Sequence, residues 1–288
     1  MTKKTRDFLK LIRLNQAIAI WLLLLPCFMA IILIFKADKN VDIFNYFKIA
    51  ILFTIGGFLA RSAGCIINDI IDFKIDKKVT RTKNRPIASG QISISNALIY
   101  LAILLIFCLI ILLQFNLWTI FSGVFVVIMI FCYPLMKRFT YFPQIFLGIT
   151  FNFGVIMASL ALTENVDAKI IILYLATITW TFFYDTIYAF QDIADDLKIG
   201  VKSSAIKIAK TNPKKILSKI SLIINLLFIM LGTIEEFNIN YYLAIILCQI
   251  IMLLNIHKCD LNSPKNCLKF FKFNWVFGLI YLFAIIIG

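Results

Sequence analysis

The segment Asn68-Asp69-Ile70-Ile71-Asp72-Phe73-Lys74-Ile75-Asp76 puts three carboxylates directly after a long apolar run. On a helix Asp69, Asp72 and Asp76 fall at i, i+3 and i+7 and share one face, with Asn68 beside Asp72. Like charges this close repel, so the spacing points to a cation between them. Carboxylate and amide oxygens suit a hard divalent ion such as Mg²⁺, which makes Asn68, Asp69, Asp72 and Asp76 candidate ligands. A second acidic stretch repeats the pattern. Asp185, Asp192 and Asp196 stand at i, i+7 and i+11, with Tyr188 on the same stripe. Arg81, Lys83 and Arg85 follow the first cluster, and Lys198 and Lys202 follow the second. Carboxylates, a divalent ion and basic side chains together form a receptor for a pyrophosphate.

The elements that position these groups are membrane helices. Of the 288 residues 61% are hydrophobic and the mean hydropathy is +0.93, well above a soluble domain. Period-2 alternation is absent, which leaves α-helices as the way to satisfy backbone groups in lipid. The expectation is an all-α polytopic protein, one continuous domain over 1–288, with nine spans around a central cavity. The spans are read at about 14–35, 46–66, 93–113, 116–135, 142–162, 168–188, 216–234, 240–256 and 270–287. The first has no small-residue cleavage site and is too long for a signal-peptide core, so it reads as uncleaved. With the N-terminus cytoplasmic, 24 of the 29 basic residues fall on the cytoplasmic side and four on the other, with Arg61 inside the second span. That asymmetry follows the positive-inside rule. The two long loops, 67–92 and 189–215, both lie on the cytoplasmic side and both carry an acidic cluster. Each follows the second helix of a four-helix set, which hints at an internal duplication with two loops meeting across the cavity.

Other readings are weaker. The net charge of +14 tracks membrane sidedness, so nucleic acid is not an expected partner. Seven scattered cysteines make no disulfide framework. His257 with Cys259 and Cys267 lacks zinc spacing. Asp185, at the end of an apolar helix, needs a polar cavity or a partner. A diphosphate held at the mouth of an apolar bundle implies a lipid tail between the helices, against walls rich in Phe (28 residues).

The run Arg61-Ser62-Ala63-Gly64-Cys65 into Asn68-Asp69-x-x-Asp72-x-x-x-Asp76, then Arg81-Thr82-Lys83-Asn84-Arg85-Pro86, closely resembles the first signature of the UbiA family of membrane prenyltransferases. The D-x-x-x-D of Asp192 and Asp196 resembles the second, with Tyr184-Asp185-Thr186 before it and Gly200, Lys202 and Ser203 after it. Tyr133-Pro134-Leu135-Met136-Lys137-Arg138 with Pro143-Gln144 is similar to the branch that prenylates 4-hydroxybenzoate in ubiquinone synthesis. The opening of the first helix usual in that branch (an Arg, an acidic residue, a Lys and a Pro) is reduced to Arg13 in Arg13-Leu14-Asn15-Gln16-Ala17.

The resemblance implies an enzyme of a bacterial inner membrane that transfers a polyprenyl group from its diphosphate to the ring of 4-hydroxybenzoate, with Mg²⁺ as cofactor. Asn68, Asp69, Asp72, Asp76, Asp192 and Asp196 would hold the metal. Asp69, Asp72, Asp185 and Asp192 would be catalytic, Asp185 or Asp192 as the base. Arg13, Arg81, Arg85, Lys137, Arg138, Tyr188, Lys198 and Lys202 would bind substrate, with Lys137 or Arg138 first for the aromatic carboxylate and Arg13 next. The alternatives are another acceptor within the family (a naphthoate, homogentisate or haem) and, outside it, a cation transporter. A transporter predicts carboxylates at mid-membrane in broken helices.

Overall fold

The computed structural model describes residues 3–14 and 16–288. Its described elements are all helical and, in chain order, are α1 (Lys3–Leu11), α2 (Ala17–Ala37), α3 (Ile43–Ile71), α4 (Phe73–Asp76), α5 (Ile94–Leu112), α6 (Leu117–Phe139) and α7 (Pro143–Phe151). Then follow α8 (Gly154–Thr163), α9 (Ala168–Ala189), a 3₁₀ turn (Phe190–Asp192), α10 (Ile193–Ile199), α11 (Ser204–Ala209), α12 (Pro213–Ile234), α13 (Ile239–Lys258) and α14 (Pro264–Ile287). Among the described residues nine spans are long and apolar enough to cross a bilayer, with α7 and α8 together forming one and α9 with α10 another.

Local chemistry sets the helix starts. The side chains of Asp42, Ser93, Asn116, Asp167, Asn212, Asn238 and Ser263 each accept a backbone N–H of the first turn, as N-caps do. Pro143, Pro213 and Pro264 open helices where no N–H is needed. The lipid-facing side is left apolar, as along α5 at Leu98, Ile99, Ile106 and Ile110 and along α6 at Phe121 and Ile128.

Three local features depart from the sequence reading. The second membrane helix runs on to Ile71 rather than ending near 66, so Asn68 and Asp69 sit on the helix itself, not in a loop. The helix then stops, and Asp72 caps it before the four-residue α4, so the first acidic stripe is bent rather than continuous. The basic N-terminal segment forms α1, which docks through buried Leu11 and Ile12 and a Phe8–Tyr100 ring contact at 4.9 Å.

The fifth span is broken at Asn152. Its amide donates to Gly148 O (2.8 Å) and to Thr181 Oγ1 on α9 (2.7 Å), so the break is tied to the neighbouring helix. α9 is the central strut. It packs against α7, α8, α12 and α14, and its Trp180, fully buried, donates to Asn274 Oδ1 at 3.2 Å. The larger core cluster joins α2, α8, α9 and α12–α14, and a smaller one joins α1, α3 and α5. A cavity of about 1140 Å³ is lined from α2, α3, α5–α9 and the two acidic segments.

Gly278 shows how tightly α14 meets this strut. A methyl there would lie 2.5 Å from Trp180 Cη2 and 2.6 Å from Leu25 Cδ1. Buried rings in a packed core yield little, so Gly278→Ala is expected to destabilise the protein by about 1–3 kcal/mol. Thermal unfolding in detergent micelles checks this, and an unchanged melting temperature rejects it.

Candidate active site

The C-terminal end of α3 and the segment after it build one wall of the cavity mouth. Asp69, Asp72 and Asp76 are 2%, 1% and 5% exposed, and carboxylates this buried persist only with partners. Arg13 Nη2 meets Asp69 Oδ1 at 2.6 Å. Arg85 Nη1 bridges Asp69 Oδ1 at 3.1 Å and Asp76 Oδ2 at 2.8 Å. Lys137, from the last turn of α6, pairs with Asp72 Oδ2, while Asp72 Oδ1 is buried without a hydrogen-bond partner among the described residues. Burial raises the Asp72 carboxyl above its usual range, against the opposing pull of Lys137. Arg13 reaches Asp69 from a left-handed backbone, φ 54°, a conformation that costs a non-glycine residue about 1–2 kcal/mol. The ion pair is a physical reason for it to persist there.

The opposite wall comes from α9, the 3₁₀ turn and α10. Asp185, Tyr188, Asp192 and Asp196 all line the same cavity as Asn68, Asp69, Asp72 and Asp76. The two loops meet directly. Arg81 takes Asp192 in a fork, Nε to Oδ1 at 2.9 Å and Nη2 to Oδ2 at 2.6 Å, and its Nη1 donates to Tyr188 Oη at 3.1 Å. Burial alone would weaken the Arg81 cation, but the Asp192 bonds outweigh it and hold its pKa above the ordinary value. Thr80 N donates to Asp195 Oδ2 at 2.9 Å, so Asp195 latches one loop to the other instead of standing free in solvent.

The expected substrate contacts divide. Arg13, Arg81, Arg85, Lys137, Tyr188 and Lys202 line the cavity. Arg138 and Lys198 are exposed and are not among its described lining residues. Arg138 is directed to Ile71 O, at 3.4 Å. Neighbouring residues on a helix point to different faces, so Lys137 and Arg138 do not share the cavity side, and Lys137 takes it. Asn15, part of the opening of the first span, lies outside the described residues.

Residues that sequence reasoning left without a role also face the cavity. Arg61 stands seven residues before Asn68 on α3, lines the cavity, and forms no ion pair with any described carboxylate. Its i, i+7 spacing to Asn68 was the available signal. Phe271 packs on Tyr188 (4.5 Å between centroids) and Tyr184 (5.7 Å), completing an aromatic wall beside Asp185. Further in, Leu23, Leu24, Phe53, Leu112, Phe115 and Val124 make the surface apolar.

Among the described residues no three acidic, histidine or cysteine side chains enclose a metal ion unaided. The donor chemistry nevertheless fits a hard cation that brings oxygen ligands of its own. Carboxylates face one another across the cavity, and Asp72 Oδ1 has a free lone pair. Mg²⁺ ordinarily keeps waters or substrate phosphates among its six ligands, so it does not need an all-protein cage.

Comparison with known proteins places this geometry in context. The UbiA prenyltransferase family model matches residues 14–278. A mitochondrial 4-hydroxybenzoate polyprenyltransferase of Dictyostelium discoideum is 41% identical over 98% of this chain, which spans 60% of that protein's length. A 4-hydroxybenzoate octaprenyltransferase of Francisella tularensis subsp. novicida is 37% identical over 99% of this chain and 98% of its own. Among solved structures, a UbiA homolog of Aeropyrum pernix superposes with a TM-score of 0.75 at 20% identity, covering 93% of this chain and 96% of its own. One of Archaeoglobus fulgidus bound to GPP and Mg²⁺ superposes with a TM-score of 0.70, at 20% identity, covering 97% and 99%. The two acidic walls, the nine-span bundle and the near-full-length match together make this chain a member of the UbiA prenyltransferase family.

Proposed function

We propose that this chain transfers a polyprenyl group from polyprenyl diphosphate to the ring of 4-hydroxybenzoate, a step of ubiquinone synthesis. The observation that carries the reading is the pair of carboxylate walls, interleaved with Arg81, Arg85 and Lys137, at the mouth of a cavity whose depth is apolar. Identity to the two hydroxybenzoate prenyltransferases supports the choice of acceptor. A cavity of about 1140 Å³ exceeds the roughly 300–1,000 Å³ of ordinary small-molecule pockets, as a long prenyl tail requires. A cation transporter is disfavoured because the carboxylates sit at helix ends beside basic side chains, and transport does not need that clamp. We place the acidic end on the cytoplasmic face of a bacterial inner membrane, on the bias of basic residues.

Asn68, Asp69, Asp72 and Asp76 on one wall, and Asp192 and Asp196 on the other, are the residues that would hold Mg²⁺. The ion, when bound, neutralises diphosphate charge so that the allylic C–O bond can ionise. Every other step falls to the chain. Arg81, Arg85 and Lys137 hold phosphate oxygens, giving up their present carboxylate partners in exchange, and Lys202, whose ammonium now donates to Phe139 O, joins them. Arg13 keeps Asp69 oriented. The apolar walls exclude water from the allylic cation, and Tyr188 and Phe271 offer it ring faces. Asp192 has both oxygens on Arg81, whereas no described residue pairs with Asp185, so Asp185 is assigned the ring proton. Arg61, a cavity guanidinium with no ion-pair partner among the described residues, is assigned the aromatic carboxylate in place of Arg138.

Two experiments test this. Membranes carrying Asp69→Ala or Asp192→Ala are expected to lose Mg²⁺-dependent prenylation of labelled 4-hydroxybenzoate by about 10²-fold or more, with insertion unchanged. Full activity in either variant rejects the two-wall clamp. Arg61→Ala is expected to raise the KM for the aromatic acid by about tenfold or more, as loss of a charged hydrogen bond does, and Arg138→Ala by less than about twofold. The reverse order returns the carboxylate to Arg138.

A further inference from the structure

Between the second acidic segment and α11 the chain crosses the cavity wall at Val201, Lys202 and Ser203. Three bonds fix it there. Lys202 N donates to Lys137 O at 3.0 Å. Ser204 N donates to Gln144 Oε1 at 3.2 Å. The hydroxyls of Ser204 and Thr186 are 2.7 Å apart. All of Gln144, Thr186, Ser203 and Ser204 are buried.

Within this anchored segment two polar groups remain unspent. Ser203 occupies the N-cap position of α11, yet its hydroxyl makes no cap bond, although capping is the usual employment of a serine there. Its Oγ is buried and has no hydrogen-bond partner among the described residues, with the residue 3% exposed. Gln144 spends its carbonyl oxygen on Ser204 N, which leaves its amide nitrogen without a partner among the described residues. Both side chains line the cavity. A buried hydroxyl left unbonded is costly and rare in folded proteins, and a ligand that bonds it removes that cost.

We infer that Ser203 and Gln144 form a neutral subsite for the phenolic hydroxyl of the aromatic acceptor, an inference that rests on the function proposed above. Neutrality is the selecting feature. Diphosphate oxygens are matched by the cations of the acidic walls, and the acceptor's carboxylate by Arg61. The group left over is an uncharged hydroxyl, and it calls for an uncharged acceptor and donor. Ser203 Oγ accepts its proton and the Gln144 amide donates to its oxygen. This fixes which ring edge faces the allylic carbon, because the ring carbon that attacks is the one beside the hydroxyl.

The test compares equilibrium binding of 4-hydroxybenzoate and benzoate to the full chain in micelles with Mg²⁺. The wild type is expected to prefer the hydroxylated acid by about tenfold or more, the analogue leaving a polar site unpaired. Ser203→Ala is expected to reduce that preference to about twofold or less, leaving benzoate affinity and the KM for prenyl diphosphate unchanged. Gln144→Met removes the amide donor at similar side-chain length and should lower the preference, with thermal unfolding in micelles checking that the segment stays folded. An unchanged preference in both variants, or a loss that falls on prenyl diphosphate, overturns the subsite alone. A wild type that transfers no prenyl group to 4-hydroxybenzoate overturns the function on which it rests, and the subsite with it.

Discussion

Three carboxylates almost withdrawn from water are the constraint on which the rest of this structure depends. Isolated buried charges are expensive, and a pair in a low dielectric is tolerated only when geometry and further hydrogen bonds compensate both partners. Asp69, Asp72 and Asp76 draw Arg13 from before the first span, Arg85 from the following loop and Lys137 from α6 onto one site. The same requirement ties the second loop to the first through Arg81 and Asp192. Segments distant in sequence therefore meet at the cavity mouth because each supplies a charge that the others lack.

How far this was legible in the chain depends on the range of the interaction. Spacing along one helix was readable, since periodicity places Asp185 and Tyr188 on a shared stripe of α9 and the cavity receives both, together with Asp192 from the 3₁₀ turn that follows. The stop at Ile71 was not, because no glycine or proline marks it and the ion-pair partner of Asp72, Lys137, comes from α6. Lys137 and Arg138 are equivalent as composition, and only the rotational phase of α6 separates a cavity lysine from an exposed arginine. Arg61 was counted as a charge inside a span, although a lone intramembrane arginine is itself a signal of a polar cavity. Asp195 is an instance of the reverse. Nothing local distinguishes it from a solvated acid, and its role comes from Thr80, distant along the chain.

The interior beneath the site carries a second polar layer that patterning does not reveal. Asn152 interrupts the fifth span and bonds Thr181, whose hydroxyl lies 3.0 Å from Tyr184 Oη. Tyr184 faces the cavity and packs edge-on against Trp180 at 5.6 Å. Each member is an ordinary residue in an apolar run, and only the crossing of α7 and α9 brings them together. In lipid such bonds satisfy groups that would otherwise break the helix, so the same contacts that permit the break at Asn152 also fix the ring beside Asp185.

The division between charged and neutral polar groups follows from dielectric as much as from chemistry. At the mouth, opposing charges let carboxylates and guanidiniums coexist although little water reaches them, and under the proposed function these pairs would give way to a metal and a diphosphate. Deeper in, an unpaired charge becomes too costly without a fixed partner, and the walls turn to Leu24, Phe53, Leu112 and Phe115. Under the proposed function, recognition of an aromatic acid would use one charge, at Arg61, and otherwise neutral groups. Ser203 and Gln144 meet that condition because backbone and side-chain bonds hold them in place without consuming the hydroxyl or the amide nitrogen. The cavity wall thus combines charge, neutral hydrogen-bonding groups and hydrocarbon, the three surfaces that a diphosphate, a phenol and a prenyl tail would need.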